Sequence, residues 1–147
     1  MADDNLLEDY IEVYLSAFKY VGELVSAPMR DDDISFEQFL ILRDIAAGHD
    51  LSLSEIAKAR HVTRAAISRQ IKTLMEHHYM IQVRDPNDGR RQELQLTTSG
   101  QALVSRVNQA ISTRFAGWID VIGEPDAQDL LRIMRRVGQE IIAKEQK

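Results

Sequence analysis

Between Thr63 and His78 two kinds of side chain recur at helical spacing. At roughly 100° per residue, Ile67, Ile71 and Leu74 fall within one arc. Ala65, Ser68, Arg69 and Lys72 fall on the opposite side, and Arg64 stands at the N-terminal tip. One face is therefore aliphatic, and the other is small, hydroxylic and cationic. Such an outer face suits a helix that enters a DNA major groove. Small residues permit close approach, while hydroxyl, ammonium and guanidinium groups donate to phosphate oxygens and base edges. The free amides of a helix N-terminus add attraction for phosphate. The competing reading is an ordinary solvated face, but that face would usually mix Glu with Lys. In this stretch Glu76 is the single acid, and it lies late.

A second set of cations follows. Ile81 and Val83 alternate with Gln82 and Arg84, and on the return Leu94 and Leu96 alternate with Glu93 and Gln95. Alternation on both sides of a turn predicts a half-buried hairpin. The connection Asp85-Pro86-Asn87-Asp88-Gly89 is dense in turn formers. At its tip stand Arg90 and Arg91, suited to a narrow, electronegative minor groove, with Asp88 as an orienting partner. The plainer alternative is an exposed turn whose charges aid solubility.

Charge and composition bound the rest. The chain has 147 residues and a formal net charge of −5. Between Glu55 and Arg91, however, eight basic side chains face four acidic ones, a local footprint for phosphate. There is no cysteine, which excludes disulfides, thiolate zinc sites and thiol redox sensing. Of His49, His61, His77 and His78, the neighbouring pair point about 100° apart on a helix and chelate poorly together. No phosphate loop, nucleophile–base set or metal-ligand spacing appears, so neither an enzyme nor a cofactor is expected. No apolar run approaches the ~20 residues of a membrane helix. The acidic start is unlike a secretory signal, and a cytoplasmic location is expected.

The elements that would position these groups are mostly helical. Ser52-Leu53-Ser54-Glu55 is a capping box for a helix to about Arg60, and Thr63 can cap the next, to about His78. Upstream, apolar steps predict a helix from about Leu6 to Val25, a break at Pro28 and Asp31-Asp32-Asp33, then a helix capped by Ser35 and ended by Gly48. Downstream, Thr98 with Gln101 forms a capping-box pattern. Gly123 and Pro125 break the chain, and Asp126 can cap a final helix with a stripe of Leu130, Ile133, Met134, Val137, Ile141 and Ile142. The middle is too small to cover both terminal stripes. Their mutual packing, and packing on a second copy in a two-fold homodimer, would bury them. A monomeric helical core is the alternative.

At these residues a family resemblance becomes specific. Leu51-Ser-Leu-Ser-Glu-Ile-Ala57 is similar to the first motif helix of the MarR family of winged helix-turn-helix regulators. Val62 to Leu74 resembles its recognition helix, and Asp88-Gly-Arg-Arg-Gln-Glu-Leu-Gln-Leu-Thr97 its wing. The resemblance implies a mainly α fold with a β-hairpin wing in one 1–147 domain. The motif and wing would span about 51–97, with dimerisation helices at about 5–27 and 98–146. It also implies a repressor of palindromic duplex DNA that a small ligand releases. By this resemblance Thr63, Arg64, Ala65, Ala66, Ser68, Arg69 and Lys72 fall at recognition-helix contacts, and Asp88, Arg90 and Arg91 at the wing. Its ligand pocket would lie between the dimer helices and the DNA-binding lobe. There Tyr14, Phe18, Phe36, Phe39 and Arg43 would suit a small aromatic or phenolic acid, unless these aromatics are simply core. A winged protein-interaction module without DNA binding is the alternative to the whole reading.

Overall fold

The computed structural model describes residues 4–48, 52–84, 87 and 92–145, of Gln92 the backbone alone. The chain forms two compact units, Met1–Ile111 and Ser112–Lys147.

In the first unit, helix α1 (Asp4–Val13) runs into a π-helical turn, Tyr14–Phe18, and on through Lys19–Val21 and Glu23–Ser26 to a 3-10 helix, Ala27–Asp32. The expected single helix is thus interrupted by one wider turn. Pro28 does not break it. Pro28 sits in the first turn of the 3-10 helix, where its missing N–H costs nothing. The chain turns at Asp33, the last of the three aspartates expected at the break, whose φ of 55° is left-handed.

Three capped helices follow. Ser35 starts α2 (Phe36–Ala46): its hydroxyl accepts from Gln38 N, and Gln38 Oε1 accepts from Ser35 N, a reciprocal cap. Gly48, at φ 83°, follows its end. Ser52 and Glu55 make the same box at the start of α3 (Leu53–Ala59). Arg60 closes α3, His61 takes a left-handed φ of 55°, and Thr63 caps α4 (Arg64–Glu76). This tight path sets the two helices as a helix-turn-helix.

Strands β1 (Met80–Arg84) and β2 (Gln92–Leu96) pair antiparallel, with Met80 opposite Leu96 and Gln82 opposite Leu94. This register corrects the sequence reading. Leu94 and Leu96 share a face with Met80, not with Ile81 and Val83, because successive side chains point to opposite faces. Met80 is 1% exposed and Ile81 47%. The reason is the core, which draws in the residue nearest the end of α4.

That core holds Met29, Phe39, Ile41, Leu42, Ile56, Ala57, Ile67, Ile71, Leu74, Met80, Leu103, Val104 and Val107. The last three come from α5 (Thr98–Ile122). The cap of α5 also differs from expectation. Thr97, one residue earlier than Thr98, accepts from Gly100 N at 3.0 Å.

The second unit contains the remainder of α5, a turn at Gly123 (φ 87°), α6 (Glu124–Val137), a π-helical turn Gly138–Ile142 and a last helical turn Ala143–Glu145. Gly123, not Asp126, takes the N-cap position, and Asp126 lies inside the first turn. There it still complements the positive end of the helix. Phe115, Trp118, Leu130, Ile133, Met134, Ile141 and Ile142 are all exposed. Among the described residues no helix is long and apolar enough to cross a membrane.

Candidate nucleic-acid interface

The site is built on α4. Thr63 Oγ1 accepts from Ala66 N at 3.1 Å, and Thr63 O accepts from Ile67 N at 3.2 Å, which fixes where the helix begins. The amides of Arg64 and Ala65 lie in the first turn, where a helix offers them no acceptor of its own. Ile67, Ile71 and Leu74 are buried against the core, each 3% exposed or less. Thr63, Arg64, Ala65, Ser68, Arg69 and Lys72 are exposed, and Ala66 is half-buried. The aliphatic residues therefore anchor the helix, and the small and cationic ones form a continuous outer surface. Asp88, Arg90 and Arg91 lie outside the described residues.

Neighbouring groups complete the geometry. Arg60 belongs to the basic middle of the sequence, yet its guanidinium turns inward to the Asp44 carboxylate on α2. His77 lies 4.0 Å from Asp33 Oδ2 and stacks on Tyr79, with ring centroids 6.0 Å apart. His78 is left-handed at φ 62°. Spacing alone revealed none of these three roles, since each partner comes from a distant part of the chain or from the turn.

The five residues expected to bind a ligand differ in exposure. Tyr14 and Phe18 are exposed on the N-terminal helical run. Phe36 and Phe39 stack at 6.2 Å, but Phe39 is a core residue at 1% exposure, so it fills space rather than walling a cavity. Arg43 is exposed. Among the described hollows, an open apolar one of about 470 Å³ is lined by Leu6, Asp9, Tyr10, Val13 and Phe18. Phe18 is the one residue of the five that it includes.

A helix-turn-helix followed directly by a β-hairpin is the winged-helix arrangement. Residues 34–91 match the family model described as the MarR family. This segment is a MarR-family domain. It covers α2, α3, α4 and β1, so every described candidate contact lies within it. The chain is 24% identical over 147 residues to an uncharacterized HTH-type transcriptional regulator of Staphylococcus aureus strain Mu50, covering 95% of this chain and 97% of the relative. It also superposes on solved MarR-family structures. S. aureus MarR in complex with salicylate and kanamycin gives a TM-score of 0.72 at 23% identity, over 97% of this chain and 95% of the other. The S. aureus MepR–DNA complex gives 0.72 at 20% identity, over 90% and 98%. The mainly α winged fold is as expected, and the relative from strain Mu50 is named a transcriptional regulator, not an enzyme.

Proposed function

We propose that this protein is a transcriptional regulator that binds palindromic duplex DNA as a homodimer, and that a small ligand releases it as a repressor. The observation that carries the reading is the division of α4: Ile67, Ile71 and Leu74 inward, Arg64, Ser68, Arg69 and Lys72 outward. An outward face of that kind meets phosphates and base edges in a major groove. A winged module built only for protein contacts has no need of it. The similar MepR structure is a DNA complex, which supports the same use of the fold.

The dimer follows from the exposed apolar positions at both ends of the sequence, including Leu6, Tyr10, Tyr14, Trp118, Ile133 and Ile141. Soluble monomers rarely leave so much apolar surface in water. On this reading residues of about 5–27 and 98–146 serve dimerisation, about 51–97 bind DNA, and Asp88, Arg90 and Arg91 form the wing tip. The effector would be a small aromatic or phenolic acid, a class that includes the salicylate bound by the similar MarR structure.

The test is selection of bound sequences from random duplex DNA, followed by titration of salicylate-like acids. Enrichment of an inverted repeat that the acid then releases is the expected result. Recovery of no sequence above background would reject the regulator reading in favour of a protein-interaction module.

A further inference from the structure

Arg60 stands at the end of α3, immediately before left-handed His61 and the cap Thr63. Its Nη2 donates to the Asp44 carboxylate and reaches the Leu40 carbonyl at 3.5 Å, both on α2. The two charged side chains are only 30% and 28% exposed. Arg60 Nε is buried with no hydrogen-bond partner. A guanidinium with its Nε buried and unpaired has given up hydration, which is tolerated where the remaining pairing is well held. Apolar side chains would pack this junction as stably. What an ion pair adds is direction, because a planar donor must meet a carboxylate in a set orientation.

We propose that Arg60 and Asp44 are positioning residues for DNA recognition, locking the α3–α4 turn onto α2 and so setting the angle at which α4 presents its outer face. This inference rests on the DNA-binding reading. Arg60 itself, although part of the basic stretch, contributes no phosphate contact. A loosened turn would leave electrostatic attraction intact and blur only the contacts that need exact placement at base edges.

The experiment measures affinity by fluorescence anisotropy for the selected duplex and for a scrambled duplex, across a salt series. Wild type is measured first. Asp44→Asn and Arg60→Ala should each weaken binding to the selected duplex about tenfold, the scale of one lost base contact. Binding to the scrambled duplex, and the salt slope on either duplex, should stay unchanged. The charge-swapped double variant Asp44→Arg/Arg60→Asp should recover most of the loss. Three results would overturn the inference: tighter binding by Asp44→Asn, a salt slope lowered by about one charge in Arg60→Ala, or equal affinity for all variants. The first two would make Arg60 a phosphate contact held in reserve. If Arg60→Ala does not fold, Asp44→Asn and the double variant decide alone. A wild type that binds no duplex rejects the regulator reading, and this inference with it.

Discussion

The Thr97 hydroxyl donates to the His78 carbonyl at 2.6 Å, tying the end of β2 to the turn that leaves α4. The same oxygen accepts from Gly100 N at 3.0 Å, and the Thr97 amide donates to Tyr79 O at 3.1 Å. One residue therefore caps α5, closes the hairpin and holds the exit of α4. His78 pays for the sharpness of that exit with a left-handed backbone.

Thr97→Val keeps the shape of the side chain and removes its hydroxyl. The variant loses the cap and one bond to a carbonyl, which together cost about 1–2 kcal/mol. The melting temperature should fall by several degrees, at ~2–4 °C per kcal/mol for a chain of this size. Thr97→Ser should retain stability, and Thr98→Val should change little. A melt series in which Thr98→Val is the costlier change would move the cap back to Thr98.

Gly100 gives a sharper test of the same junction. A Cβ placed there would stand 2.0 Å from Tyr79 O, a backbone atom that cannot swing away. Gly100→Ala should destabilise by about 3 kcal/mol, at the upper end of overpacking costs. Gly117, further along α5, has nothing within 4 Å of the same added atom. Gly117→Ala should stabilise by about 0.5–1 kcal/mol through helix propensity. Urea unfolding of both variants checks the pair, and equal shifts would contradict the close approach at Gly100.

These junctions also show where sequence reasoning stops. The two faces of α4 were legible because a helix repeats its burial every 3.6 residues and needs no partner to declare it. The hairpin was legible as a hairpin but not in register. Met80, Ile81 and Val83 offer apolar residues in both parities, and only contact with the core selects Met80. Thr97 and Thr98 are equivalent as letters; the His78 carbonyl, nineteen positions away, distinguishes them. Arg60 read as a surface cation because Asp44 comes from another helix. Within the set Tyr14, Phe18, Phe36, Phe39 and Arg43, the burial of Phe39 was hidden for a similar reason. Spacing places residues on a helix face, whereas Phe39 is claimed by the core.

On α4 itself, substitutions on the two faces should separate stability from binding. Lys72→Ala lies on the exposed face and should leave stability within about 0.5 kcal/mol. It should weaken binding to all duplexes alike and lower the salt slope by about one. Ile71→Ala removes a buried side chain and should cost about 2–5 kcal/mol of stability. Salt-dependent anisotropy and urea melts on the same two proteins check this. A Lys72→Ala protein with wild-type affinity and slope would remove that face from the interface.

The apolar face of α6 makes the dimer testable apart from the DNA contacts. Leu130, Ile133 and Met134 on α6, with Ile141 in the π-helical turn beyond it, are each between 44% and 52% exposed. No residue of that stripe belongs to the core that anchors α4. Ile133→Glu should therefore leave the helix-turn-helix folded while placing a charge where a second copy would pack. Sedimentation should show a dimer for wild type and a monomer for the variant. The monomer can still occupy one half-site, but it loses the second, tethered binding event. Affinity for the inverted repeat should fall by about a hundredfold or more, the usual scale of such linkage. Footprints should shrink from two protected segments centred about 10 bp apart to weak protection of one. A variant that stays dimeric and protects both segments would mean that α6 is not the surface joining the copies. The two recognition helices would then owe their spacing to another face.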